Sequence, residues 1–229
     1  MPEATEPEPS DELRSGLLAA FEEELGDAVV ASHIRAGNDL WIRVDAGAWE
    51  AAAHFARHQL AFTFFDFLSA IDWMPSPFGR YEDAEVDTPL ADKLGQPYEI
   101  ETGLAGGETR FQLLARVADV RQRHVGVTLK SDVPDDTLTM PSWVRVYAGA
   151  DWHERETWEM YGINFEGHPG LRHIYLPSGF EGHPLRKDFP LLARVVKPWP
   201  GIVDVEPMPG EPEGETEGDA DADGEGDDA

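Results

Sequence analysis

The chain contains no cysteine. That excludes disulfides, thiolate-held iron-sulfur clusters, zinc ribbons and cysteine nucleophiles. It has no apolar run long enough to cross a bilayer, and its acidic opening, Met-Pro-Glu-Ala-Thr-Glu, lacks the basic and apolar regions of a signal peptide. Any membrane association is therefore expected to come through a partner. Positive charge is scarce too: 18 Lys and Arg stand against 45 Asp and Glu, for a net charge of -27, which disfavours nucleic acid and adhesion to an anionic bilayer. Nucleotide and nucleophile motifs are missing. Gly103-Leu-Ala-Gly-Gly107 lacks the G-x-G-x-x-G spacing, no G-x-x-x-x-G-K-[ST] run occurs, and Ser178 sits in a Pro-Ser-Gly turn outside any G-x-S-x-G context.

What is present is unevenly placed. Residues 211–229 carry ten acids and no Lys or Arg, and residues 1–12 carry five and none. With almost no apolar side chains to bury, residues 1–9 and 206–229 are expected to be disordered and solvated. Between them, 10–161 reads as one α+β domain. A helix over 11–25 has Ser10 as its cap, a stripe of Leu13, Leu17, Phe21 and Leu25, and Gly26 as its stop. Val30 and Ile34, then Leu40, Ile42 and Val44, alternate around Gly37-Asn38, which predicts a hairpin. Asp45 is placed to cap a second helix reaching Gln59, with Trp49, Ala52, Ala53, Ala56 and Leu60 on one face. In the aromatic run 62–73 at least the later half reads as a strand. Residues 74–108 lose all periodicity and read as a loop insertion. Two strands follow, 111–120 and 125–131, joined at Arg121-Gln122. Pro134-Asp135-Asp136 breaks the sheet, and 142–147 reads as a short helix. Helices and strands do not alternate regularly, so a two-layer domain, a mixed or antiparallel sheet packed by helices, fits better than a doubly wound fold.

The densest chemistry lies in residues 152–190. Asp151 is placed to cap a helix ending at Gly162. Helical spacing brings Trp152, Arg155, Glu156 and Glu159 together beside Glu154, with Trp158 and Tyr161 on a neighbouring face, so Glu154, Arg155, Glu156 and Glu159 are read as a partly buried ion-pair network. Beyond it, frequent Gly and Pro impose turns and extended backbone over 162–205. A unit repeats there: Phe-Glu-Gly-His-Pro-Gly-Leu-Arg from Phe165 returns as Phe-Glu-Gly-His-Pro-Leu-Arg from Phe180. Such a segment gains order by lying on a surface, of its own chain or of a partner. Arg186, Lys187, Arg194 and Lys197 make it locally basic, opposed by Asp188.

These motifs resemble the thirty-kilodalton subunit of respiratory complex I, the proton-pumping NADH-quinone oxidoreductase. The resemblance rests on Glu154-Arg155-Glu156, on Glu159-Met160-Tyr161-Gly162-Ile163, on the Gly-His-Pro unit from Phe165 to Arg172, and on Gly-His-Pro-Leu-Arg-Lys-Asp-Phe-Pro from Gly182. Glu159 stands where that family usually has Asp, and His173 where it usually has a second Arg. The resemblance implies a subunit without a cofactor of its own. FMN, iron-sulfur clusters and quinone would belong to the assembled complex, which passes electrons from NADH to quinone and couples that flow to proton translocation. It implies peripheral-arm partners, the large quinone-reducing subunit and the terminal iron-sulfur subunit among them, on the cytoplasmic side of the cell membrane. His168, Arg172, His183, Arg186, Lys187 and Asp188 are the expected docking residues. Related membrane-bound hydrogenases use similar subunits.

Another class remains open on the residues alone. His153, His168, His173 and His183, with Glu154, Glu156, Glu166 and Glu181, are metal-ligand types, and two Gly-His-Pro turns could bring His168 and His183 to one ion. The His153-Glu154-Arg155-Glu156-Thr157 run lacks the second His of H-E-x-x-H. A structural role outweighs acid-base chemistry for Glu154 and Glu156, because Arg155 beside them would keep them ionised. For the acidic tail the expectation is direct: deleting residues 211–229 leaves the thermal midpoint of the isolated chain unchanged. A drop of several degrees in a melt would show that the tail packs on the body.

Overall fold

A buried arginine organises the N-terminal corner. In the computed structural model, which describes residues 11–77 and 97–189, helix α1 spans Glu12–Leu25. Leu17 and Phe21 are buried as the stripe requires, but Leu13 is exposed and Arg14 turns inward. Its guanidinium bonds the Asp11 carboxylate at 2.5 Å and the Asn38 carbonyl at 2.8 Å, and Asp11 also accepts the Gly37 amide at 2.8 Å. Asp11 is the cap, taking the Arg14 amide at 3.0 Å, which corrects the assignment of that role to Ser10. One helix terminus is thereby tied to the tip of the first hairpin. Gly26, at φ 55°, ends α1 as expected.

The hairpin consists of β1 (Val29–Arg35) and β2 (Asp39–Val44), antiparallel, with Gly37 at φ 70° in its turn. Helix α2, Trp49–His58, follows a single 3-10 turn, Ala46–Ala48. Asp45 precedes that turn and makes no side-chain cap, contrary to expectation. Strand β3 occupies all of Phe64–Asp72, more of the aromatic run than its later half. Strands β4 (Phe111–Asp119) and β5 (Val125–Asp132) form the second hairpin, and Asp119 orders its turn by accepting the amides of Arg121 and Gln122 at 3.1 Å. The sheet order is β1-β2-β5-β4-β3, with every pair antiparallel except β2 with β5. A mixed five-stranded sheet packed by helices is the two-layer α+β domain that the sequence predicts.

Alternation sorts the two faces. Ile42, Leu68, Leu113, Ala115, Val127 and Leu129 enter the core with Phe21 of α1 and Trp49 of α2. The other face carries Arg43 beside Lys130 and Gln112 beside Asp132. Here the described end of the insertion returns. Lys130 donates to the carbonyls of Leu104 and Gly106 at 2.7 and 3.1 Å, while Gln112 holds Gly106 and Asp132. Burial lowers the Lys130 pKa to about 8. The remaining expectations for 74–108, and those for 1–10 and for everything from Pro190 on, lie outside the described residues.

After β5 the chain crosses the core through β6 (Thr139–Pro141) and a turn at 142–147, where a short helix was expected. Two bonds to the Trp143 carbonyl, from Val146 and Tyr147, make one turn of backbone and no more. Aromatic packing fixes it. Trp143 stacks on Trp49 at 4.4 Å and donates to the Trp49 carbonyl, and the Tyr147 hydroxyl donates to that of Phe62. Helix α3, Ala150–Tyr161, then leads to β7, Asn164–Glu166, which pairs with β6 in a small parallel sheet.

Glu154 of α3 ties the turn down. Its carboxylate, fully buried, accepts the Ser142 hydroxyl at 2.6 Å and the Trp143 amide at 2.5 Å. Burial nevertheless pushes its pKa up to about 7, against the pull of those two donors. Between the unfolded value of about 4.5 and 7, the folded chain holds a proton that the unfolded chain has released, so this group's contribution to stability falls as pH rises through that window. Glu154→Gln should therefore flatten the dependence of the melting midpoint between about pH 4.5 and 7. A variant curve parallel to the parent's would mean that Glu154 does not titrate there.

Candidate partner-docking surface

Every α-helix ends with carbonyls that have no partner in the next turn. In α3 those are the carbonyls of Trp158, Glu159, Met160 and Tyr161, and each is taken by a residue downstream. Gly162, left-handed at φ 74°, donates its amide to Trp158 at 2.9 Å. The second Gly-His-Pro unit supplies the rest. His183 Nδ1 meets the Glu159 carbonyl at 2.8 Å, the Leu185 amide donates to Met160 at 3.2 Å, and Arg186 Nε donates to Tyr161 at 2.6 Å. His183 and Arg186 close directly over Gly162: a Cβ there would lie 2.6 Å from His183 Nε2 and 2.5 Å from Arg186 Nη2. The Arg186 guanidinium also suits the negative end of the helix dipole.

The first unit grips the other end of α3. His168, its side chain buried, meets the Asp151 carbonyl through Nε2 at 3.2 Å and accepts the Gly170 amide on Nδ1 at 3.0 Å. The two units are alike in Gly167 and Gly182, both at positive φ, and in a His that binds an α3 carbonyl. They differ in their phenylalanines, since Phe165 is buried in the core and Phe180 is exposed, 6.0 Å from Phe189. Asp151 and Glu159 stand eight residues apart on the helix, about 12 Å along its axis. Metal-ligand bonds are about 2 Å. The two histidines therefore serve opposite ends of α3, which corrects the alternative of one ion shared by His168 and His183. Among the described residues no group of three His, Asp or Glu is gathered for a metal.

Between the two grips, the expected ion-pair network takes another form. Arg155 is buried, but it donates to the carbonyls of Arg172 and His173 at 3.1 and 3.2 Å, and its nearest carboxylate is Asp151 at 4.0 Å. Glu159 accepts three successive amides, Ile174, Tyr175 and Leu176, at 3.0, 3.0 and 2.6 Å, and takes His173 Nδ1 at 2.8 Å. Burial alone would raise its pKa, yet those amides outweigh it and hold the group down at about 2. Glu154 looks inward to Ser142, and Glu156 is half-buried. Glu154, Arg155 and Glu159 each pin a different piece of backbone and do not pair with one another. Asp151 likewise lies inside the first turn, after Gly149, and does not cap the helix.

One anchor was not legible in the sequence. Asp72, at the end of β3, takes Arg110 on both oxygens at 3.0 and 2.8 Å and the Lys187 amide at 2.8 Å, while Arg110 also meets Asp188 at 3.1 Å. Arg110 and Arg186 both stack on Phe111, at 4.6 and 5.3 Å. Sequence separations of 38 and 115 residues give no local signal for such a cluster.

Of the expected docking residues, His168, His183, Arg186 and Asp188 are thus engaged within the chain, and Arg172 and Lys187 have exposed side chains. The outer surface also includes Trp152 at 68% exposure and Tyr175 at 63%, with Phe180 and Leu185. Exposure of Trp152 corrects the expectation that it flanks a buried network. A domain whose polar side chains bind down its own extended segment, leaving large rings outside, is of the kind that presents a fixed surface.

The comparisons with known proteins specify which kind. A family model described as respiratory-chain NADH dehydrogenase, 30 Kd subunit, matches residues 42–195, and the chain belongs to that family. The C subunit of the NADH-quinone oxidoreductase of Brucella ovis is 51% identical over 84 residues, 37% of this chain, and the same figures hold for Brucella suis. The chain spans 41% of the length of these curated relatives. A solved membrane-bound sulfane sulfur reductase, an archaeal respiratory membrane complex, is similar with a TM-score of 0.52 at 18% identity, over 78% of this chain and 86% of that one. That likeness is one of fold.

Because Arg186 closes the end of α3, its loss should be felt without any partner. A hydrogen bond from a charged group contributes about 1.5 to 3 kcal/mol. Arg186→Ala should lower the melting midpoint of the isolated chain by roughly 3 to 10 °C. An unchanged midpoint would return Arg186 to the role of an outward docking side chain.

Proposed function

We propose that the chain is the cofactor-free docking subunit of the peripheral arm of a proton-translocating NADH-quinone oxidoreductase. Electron transfer from NADH through FMN and iron-sulfur centres to quinone, with the coupled proton translocation, is the activity of the assembly, and this chain holds its neighbours in register. The family membership of residues 42–195 carries this reading. Its expected neighbours are the large quinone-reducing subunit and the terminal iron-sulfur subunit, on the cytoplasmic side of the cell membrane. No helix of the described residues is long and apolar enough to cross a membrane, so membrane attachment in this reading is through the complex.

The docking face in this reading is the outer side of α3 and of residues 171–187, centred on Trp152 and Tyr175 with Arg172 and Lys187 beside them. Large rings on a rigid support are efficient interface anchors, because little side-chain entropy is lost on burial. The inward-facing histidines and Arg186 contribute by fixing that support. A hydrogenase-type membrane complex would use the same face. The likeness to the sulfane sulfur reductase is of fold and does not favour that alternative.

Trp152→Ala with Tyr175→Ala should leave the far-UV spectrum and melting of the isolated chain near the parent's, while co-purification with the quinone-reducing subunit and membrane NADH-quinone activity fall together. Truncating central aromatic anchors typically costs about 2 kcal/mol or more of binding each. Undiminished co-purification would place the interface elsewhere on the domain.

A further inference from the structure

The turn between β4 and β5 carries positive charge that the fold does not use. Asp119 makes the turn rigid, accepting the Arg121 and Gln122 amides and pairing with Arg123 Nε at 2.8 Å. Arg123 packs inward, its guanidinium 4.9 Å from the centre of the Phe62 ring and donating to the Leu60 carbonyl. Arg121, two residues earlier in the same turn, is exposed, and among the described residues its side chain has no ion pair or hydrogen bond.

Two more arginines come to this end of the domain. Arg57, in the last turn of α2, lies over the Tyr147 ring at 5.1 Å, and the Tyr147 hydroxyl donates to the Phe62 carbonyl at 2.8 Å. Phe62 and Tyr147 thus tie together the elements that carry Arg57 and Arg123. Arg145, two residues before Tyr147, is exposed and, like Arg121, unpaired among the described residues. Apolar surface adjoins this charge: Phe64 is 48% exposed and Val120 49%, and Phe64 stands opposite Ala118 at the end of the β3–β4 ladder, two residues short of Val120. The local acids face elsewhere, Asp119 into its own turn and Asp66 toward Arg116 at 3.7 Å. In a chain with 45 acidic and 18 basic side chains, this is a local excess of arginine that no acid of the described residues neutralises.

We propose that this end of the domain docks an acidic segment of a second protein, its carboxylates meeting Arg121 and Arg145 and an apolar side chain resting on Phe64 and Val120. The guanidinium fork matches a carboxylate with two parallel bonds, and a rigid turn holds the Arg121 backbone ready for it. Charge complementarity selects the occupant. At physiological ionic strength charges act over about 8 Å, so a short acidic segment meets this cluster alone. Nucleic acid or a bilayer extends over the acidic surface around it, on a chain of net charge -27, and is repelled there. The surface uses none of the residues of the Trp152 and Tyr175 face, and it does not rest on the family reading.

Carbodiimide coupling, which joins a lysine amine to a carboxylate in direct contact, tests the proposal. The tagged full chain carrying Arg121→Lys and Arg145→Lys, which keep the charge, is purified from the cells that naturally make it with the proteins that accompany it, then coupled and read by peptide mass spectrometry. Position 121 or 145 should be bonded to an Asp or Glu of another protein. Arg121→Glu with Arg145→Glu should lower recovery of that protein about tenfold or more, and added salt should lower its recovery with the parent chain. The melting midpoint of the isolated charge-reversed chain should match the parent's, because both side chains are exposed and unpaired. Coupling confined to carboxylates of the chain itself, coupling at neither position, or recovery unchanged by charge reversal overturns the proposal. So does binding of the parent chain to phosphatidylglycerol vesicles or to single-stranded DNA that charge reversal abolishes, which would make the patch a lipid or nucleic-acid surface.

Discussion

The termination of α3 is the constraint on which the rest of the C-terminal structure depends. A helix that ends in protein rather than in water must find donors for its last carbonyls, and here they come from a segment more than twenty residues downstream. Gly162 starts the arrangement by turning the chain with a positive φ that other residues adopt at a cost. His183, Leu185 and Arg186 complete it. The strap from 162 to 189 is held because its donors are what the helix lacks, which accounts for ordered backbone in a stretch so rich in glycine and proline.

Buried carboxylates do the complementary work. Glu159 collects three consecutive amides that an irregular segment cannot place in any ladder, while Glu154 holds the turn at 142–147 and Asp72 the amide of Lys187. The environments set their charge states apart. Glu159 is surrounded by amide donors and stays ionised, whereas for Glu154 the cost of burial outweighs its one amide and one hydroxyl donor and the pKa is raised. Two glutamates five residues apart on one helix therefore answer differently to pH. Spacing alone had grouped them into one network.

The sheet divides its labour by face. One side is an aliphatic and aromatic core, closed by α1, α2 and the Trp143 turn. On the other, Arg43, Lys130 and Gln112 hold the returning end of residues 97–108, with Asp132 bracing Arg43 and Gln112. In the reading proposed for this chain, that rigid platform carries the exposed rings of Trp152 and Tyr175 to a neighbour. Rigidity at such a face reduces the ordering cost of binding.

Periodicity by itself determined most of the framework: both hairpins, α1, α2, α3, their stops at Gly26 and Gly162, and the α+β class follow from apolar spacing and from glycine's conformational freedom. The Gly-His-Pro units were legible as special backbone, and their resemblance pointed to the family to which the chain belongs. Where a polar side chain would point was not legible. Trp152 turns outward, and Arg14 and Arg186 turn inward while Asp72 reaches across the domain, because each of those three is drawn to a backbone group without a partner nearby. The parallel pairing of β2 with β5 is likewise a non-local choice. Local patterns encode which residues share a face, while donor and acceptor balance across distant segments is settled only when the chain has packed, and the tertiary structure alone records it.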